Sequence, residues 1–263
     1  MHSERKPWRS FLVFLFLGLL AVLSLYPMYV ELLPQQLAEL NIPLMMSVEV
    51  LALLSLINPF ILISLGVLVG HLVATRSGFT SFIYEKDRLG KPLLPRLQAI
   101  LLPSILLGVI SGVIIMVVEY FIQPLLPSAL QMTDSEATIT FYDFASRILY
   151  GGIAEEIMLR WGVMSLLVFM MWKVFQRKLT QPTQIIIWIG IILSALLFGL
   201  GHYGATAAVT EMTPVVFARM LFLNGFAGII YGWLYWKKGL EAAMIAHMFT
   251  HVTFIVIITF LFL

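Results

Sequence analysis

Two adjacent carboxylates, Glu155 and Glu156, one arginine, Arg160, and three histidines, His202, His247 and His251, stand in otherwise apolar sequence. An ionisable group at the centre of a spanning helix costs about 2.5–3.5 kcal/mol on insertion scales. Three such groups within GGIAEEIMLRWG (151–162) are too costly to be incidental. The chemistry they suit is hydrolysis: a desolvated carboxylate takes a proton from water, and imidazoles donate hydrogen bonds to a developing oxyanion. Glu156 and Arg160 are four apart and share a helical face, so they can neutralise each other as a structural pair. Glu155 is turned about 100° from Glu156, and nothing nearby in sequence neutralises it. That makes Glu155 the expected proton acceptor.

The histidines carry less information singly. SALLFGLGHYG (194–204) puts Phe198 and His202 on one face, with Gly199 and Gly201 expected to admit a neighbouring helix. A lone histidine is more often a hydrogen-bonded structural residue. AAMIAHMFTH (242–251) puts His247 and His251 at i and i+4. That spacing suits a metal site, a pair of hydrogen-bond donors, or two bonds to a neighbouring backbone. Glu49, Glu119 and Arg219 fall near expected span ends, where snorkelling is cheap. Asn224 and His71 read as packing residues, and Gly228-xxx-Gly232 as a close helix contact.

The surrounding chain fixes how these groups are held. It has 263 residues, 60% hydrophobic and 11% charged, where soluble domains carry about 25% charged residues. With a mean hydropathy of +0.98, an integral membrane protein in a lipid bilayer is expected. The net charge of +2 says little about partners; no nucleic acid is expected among them, and the oligomeric state is left open. Without cysteine, disulfides, thiolate nucleophiles and cysteine-ligated metals are excluded.

Spans of roughly 20 apolar residues are expected near 10–30, 44–74, 96–122, 152–172, 185–203, 214–236 and 240–262. Asn58-Pro59 should kink the second or divide it into two. The expected fold is therefore all-α: one polytopic helix bundle over 1–263 with seven spans, or eight. FYDFASRILY (141–150) reads as an interfacial helix leading into the fourth span. Arg5, Lys6 and Arg9 precede an apolar run too long for a signal peptide, so an uncleaved anchor is expected.

Basic residues alternate along the chain. They lie before span one, between spans two and three (Arg76, Lys86, Arg88, Lys91, Arg96), after span four and after span six, while the other connections hold acidic residues. By the positive-inside rule the N-terminus is cytoplasmic and the C-terminus outer. Counted from the cytoplasmic ends at 1.5 Å per residue, Glu156 lies about 24 Å deep, His202 about 26 Å, His251 about 18 Å and His247 about 12 Å. Three helices can thus bring their polar groups to one cavity.

In order, EEIMLR, FGLGH and HMFTH resemble the EExxxR, FxxxH and HxxxN-type motifs of the CPBP (Abi) family, the CAAX-processing and bacteriocin-processing intramembrane proteases. NGFAGIIYGWLYWKKGLEAAMIAH (224–247) also resembles that family's glycine-rich helix and basic turn. The resemblance places a catalytic core at 140–258. It implies a metal-independent, cofactor-free endopeptidase acting on a membrane-embedded or lipid-anchored peptide or protein. Glu155 would be the general base, His202 would hold the water, Glu156 and Arg160 would be the supporting pair, and His247 would stabilise the oxyanion. His251 departs from the pattern, standing where many members have asparagine. The compact chain is more similar to bacterial members, which implies the bacterial cytoplasmic membrane. Two other readings stay open: a zinc protease with His202, His247 and His251 as ligands, and a non-catalytic scaffold or bacteriocin-immunity protein. A transporter is not expected, since no inverted repeat or charged pathway crosses the membrane.

Overall fold

The computed structural model describes residues 6–131 and 140–262; Arg5, at the head of the first basic cluster, lies outside them. Its main elements are α1 (Trp8–Leu23), α2 (Tyr26–Glu39), α3 (Val48–Ser55), α4 (Ile57–Val73), α5 (Phe82–Leu89) and α6 (Leu94–Ile122). They continue with α7 (Phe141–Phe175), α8 (Gln184–Gly201), α9 (Tyr203–Ala207), α10 (Pro214–Lys238) and α11 (Leu240–Phe262). Among the described residues there is no strand, as the composition led us to expect.

Among the described residues six segments are long and apolar enough to cross a membrane: Val48–Val73, Leu94–Leu125, Phe141–Phe175, Gln184–Ala207, Pro214–Lys238 and Leu240–Phe260. The pair α1–α2 makes a seventh if it counts as one span, with a bend of 44°. Pro27 explains the bend, since it lacks the N–H that would have reached the Leu23 carbonyl. Residues 48–73 qualify together as one candidate span. Its helix is interrupted at Leu56, where Pro59 leaves the Ser55 carbonyl without its helical donor.

Polar side chains mark the helix starts. Ser81 Oγ accepts from Tyr84 N at 3.3 Å, and Thr213 Oγ1 from Val216 N at 3.3 Å. Thr140 and Asp143 form a reciprocal capping box at the head of α7. The interfacial helix expected at 141–150 is not a separate element, because from this cap α7 runs unbroken into its span. Over Arg147–Glu155 and Ile157–Met164 it widens to the π pattern, which is common at functional sites.

α7 is central and packs against α1, α4, α8 and α11. Small residues set the approaches. A Cβ added to Gly228 would lie 3.0 Å from Ala195 Cα, and one on Gly232 3.0 Å from Ile191 Cγ2, so the expected contact of 228 and 232 is with α8. Gly199 meets Leu221 in the same way, but Gly201 has open space around it and admits no helix. His71 Nδ1 lies 2.9 Å from the Val67 carbonyl and 3.2 Å from the Trp161 indole nitrogen, and Asn224 donates to the Met220 carbonyl, in keeping with packing roles.

Candidate active site

The widened part of α7 carries the acidic pair. Glu156 and Arg160 are fully buried, with Arg160 Nε 3.3 Å from Glu156 Oε2. The guanidinium also lies over the Phe198 ring at 5.3 Å and the Tyr231 ring at 5.9 Å. α8 and α10 thus close the arginine's other sides with aromatic faces, which attract a cation.

His247 on α11 lies between the two glutamates. Its Nδ1 is 2.9 Å from Glu156 Oε1, a hydrogen bond in which the ring N–H donates. Its Nε2 is 3.9 Å from Glu155 Oε2, too far for a direct bond and close enough for one water to bridge. Glu155 keeps 14% of its side-chain surface exposed, whereas Glu156 keeps none. The two carboxylates are thereby separated: one is sealed against Arg160, and the other is partly exposed.

The His247 ring stacks on Tyr231 (4.5 Å between centroids, 23°) and on His251 (4.9 Å, 21°). His251 rests on the backbone of α7, since a Cβ at Gly151 would lie 2.5 Å from its Nε2. His202 follows α8, with Nδ1 2.9 Å from the Phe198 carbonyl and its ring edge-on to Phe198 at 4.9 Å. Phe198 is in turn edge-on to His247 at 5.9 Å. Glu155, Glu156 and His251 therefore gather around His247, Arg160 joins through Glu156, and His202 through Phe198.

This arrangement does not favour the zinc reading. The imidazoles of His247 and His251 lie nearly parallel, and no three His, Asp or Glu side chains among the described residues are placed to hold a metal ion. A cavity of about 480 Å³ lined by Lys86, Lys91, Leu93 and Leu97 lies apart from these groups, on the basic connection before α6.

Several contributors were not legible as such. Tyr231 and Thr250 flank His247, and Gly108 of α6 accepts a hydrogen bond from Thr250. The signal available was that hydroxyls in an apolar span must find partners. Glu119 and Arg219 do not snorkel. Arg219 Nε is 2.9 Å from both Glu119 oxygens, and Glu119 is 4% exposed, because the ends of α6 and α10 meet there.

The comparisons with known proteins bear on this same stretch of chain. No curated protein and no solved structure matches it. A family model does: residues 137–253 match the description "Type II CAAX prenyl endopeptidase Rce1-like". That range holds all six candidate residues and omits α1 to α6. The segment that builds the site is thus similar to the Rce1-like family, in line with the membrane-protease family that its three motifs resemble.

Proposed function

We propose that this protein is an intramembrane endopeptidase in which Glu155 activates water. The observation that carries the reading is the reachable Glu155 carboxylate facing His247, whose other nitrogen is tied to the buried Glu156–Arg160 pair. A water bridging Glu155 and His247 gives up a proton to Glu155, and its oxygen adds to the substrate carbonyl carbon. An N–H of His251 receives the oxyanion; the family resemblance gives this role to His247, whose neutral ring has its one N–H committed to Glu156 Oε1 and its Nε2 left to accept from the water. When the C–N bond breaks, Glu155 returns the proton to the leaving amine. Low dielectric strengthens each of these interactions.

The substrate class this reading implies is a membrane-embedded or lipid-anchored peptide or protein. With α1–α2 counted as one span, the N-terminus is cytoplasmic and the C-terminus outer, so the site opens toward the outer half of the bilayer. Because the chain has no cysteine, single-cysteine labelling reads this directly: Thr210→Cys should react from outside and Thr180→Cys from inside.

The decisive experiment compares peptides released by cells carrying the wild type and Glu155→Gln, followed by cleavage of the candidate substrate with purified proteins. Glu155→Gln and His247→Ala should abolish cleavage in folded protein. A folded Glu155→Gln variant with wild-type turnover would falsify the glutamate-base mechanism.

A further inference from the structure

Tyr231 is fully buried, and its phenol has a defined partner. Its O–H and Thr250 Oγ1 are 2.7 Å apart, and Thr250 Oγ1 lies 3.0 Å from the Gly108 carbonyl and 3.1 Å from the Ala246 carbonyl. Carbonyls only accept, and a threonine hydroxyl has a single proton. That proton goes to a carbonyl, so the Tyr231 hydroxyl must donate to Thr250. The phenol ring is pinned at its far end while its face covers His247. The anchor reaches α6, because Gly108 has no side chain where the Ala246 carbonyl approaches.

We propose that Tyr231 is a positioning residue: held by Thr250 and α6, it forms with His251 a slot that fixes the His247 ring between Glu156 and Glu155. Stacking sets the plane of the imidazole, and the Glu156 carboxylate selects the edge that presents Nδ1. Together they aim Nε2 at Glu155. This inference rests on the endopeptidase reading and deepens it, because it makes α6, outside the Rce1-like segment, part of the site's geometry.

The test uses the full-length chain in lipid nanodiscs, with histidine nitrogens labelled for NMR, and the substrate identified by peptide comparison. Tyr231→Phe and Thr250→Val each remove one bond of the anchor. Each should lower kcat by about three- to ten-fold, the size of one net hydrogen bond expressed as a rate, with KM unchanged. Both should move the His247 nitrogen resonances and shift the pH–rate profile. The double variant should be no worse than either single one, since both cut the same chain of bonds, and Thr250→Ser should restore wild-type values.

A lowered melting temperature with unchanged kcat and His247 resonances would make Tyr231 merely structural and overturn the proposal. Additive losses in the double variant would overturn it as well. Should Tyr231→Phe fail to fold, Thr250→Val against Thr250→Ser decides the same question. Full cleavage by Glu155→Gln would instead remove the glutamate-base mechanism, and no cleavage by the wild type would remove the endopeptidase reading; in either case the His247 resonances would still decide the positioning role.

Discussion

Glu156→Gln isolates the buried ion pair from the rest of the site. Glutamine keeps the shape of the side chain and an oxygen that accepts from His247 Nδ1, but it removes the charge facing Arg160. Two unit charges 3.3 Å apart attract by about 5 kcal/mol at an effective dielectric near 20, and desolvation of both groups offsets much of that. What decides the outcome is the arginine left behind. Arg160 is fully buried, and a buried charge without its partner costs about 3–5 kcal/mol. The Phe198 and Tyr231 faces recover up to about 2 kcal/mol if desolvated, but the wild type already has them, so they cannot reverse the sign. At about 1.4 kcal/mol per decade, the folding equilibrium constant should fall by roughly two to four decades. The assay is reversible unfolding of the full chain in mixed micelles, followed by tryptophan fluorescence. Adding Arg160→Met should restore most of the loss, because replacing both members of a buried pair with apolar groups is often neutral. A single Glu156→Gln variant within about 0.5 kcal/mol of wild type would refute the argument that this carboxylate holds Arg160 in place.

Three further outcomes follow from packing and charge. Gly108→Ala puts a methyl against the Ala246 backbone; neither helix can yield locally, so unfolding experiments should show a loss of about 1–3 kcal/mol. Gly201→Ala meets open space and should be neutral or raise stability by up to about 1 kcal/mol through the unfolded chain. At Glu85, burial pushes the carboxyl up, but the hydrogen bonds and charges of Lys91 and Arg96 outweigh it and hold the group below its ordinary value. Its stabilising contribution is therefore present above the ordinary glutamate range and lost as pH falls through the lowered folded value. Unfolding midpoints of wild type and Glu85→Gln should differ at neutral pH and converge on acidification.

The helical bundle was legible because apolar length alone dictates spanning helices where water is excluded. What composition could not give was how the first spans are joined. Whether α1 and α2 cross together depends on one bend beside Pro27, and hydropathy does not encode bends. The start of α7 shows the same limit. The alternation in FYDFASRILY marks a helix correctly, but the capping box at Thr140 and Asp143 only says where it begins. Nothing in the ten residues says that it continues without a break. Glu119 and Arg219 were judged by their distance from span ends, yet they are 100 residues apart in sequence and meet only because α6 and α10 are neighbours.

At the site, spacing identified the residues better than it identified their contacts. The i, i+4 relation of Glu156 and Arg160 holds through the widened helix, because two opposite charges in a sealed interior are driven together. The same relation between His247 and His251 suggested two nitrogens aimed at one point, whereas the rings lie flat against each other. Spacing fixes which face a side chain leaves from; the rotation of a ring about its own axis is set by what lies on either side of it. For His247 those neighbours are Tyr231, His251 and Glu156, contributed by three different helices. One imidazole then distinguishes two chemically identical neighbours: it bonds the carboxylate that faces Arg160 and stands 3.9 Å from the other. Spacing had already set Glu155 apart from the Glu156–Arg160 pair, but the different surroundings of the two carboxylates come from the ring between them.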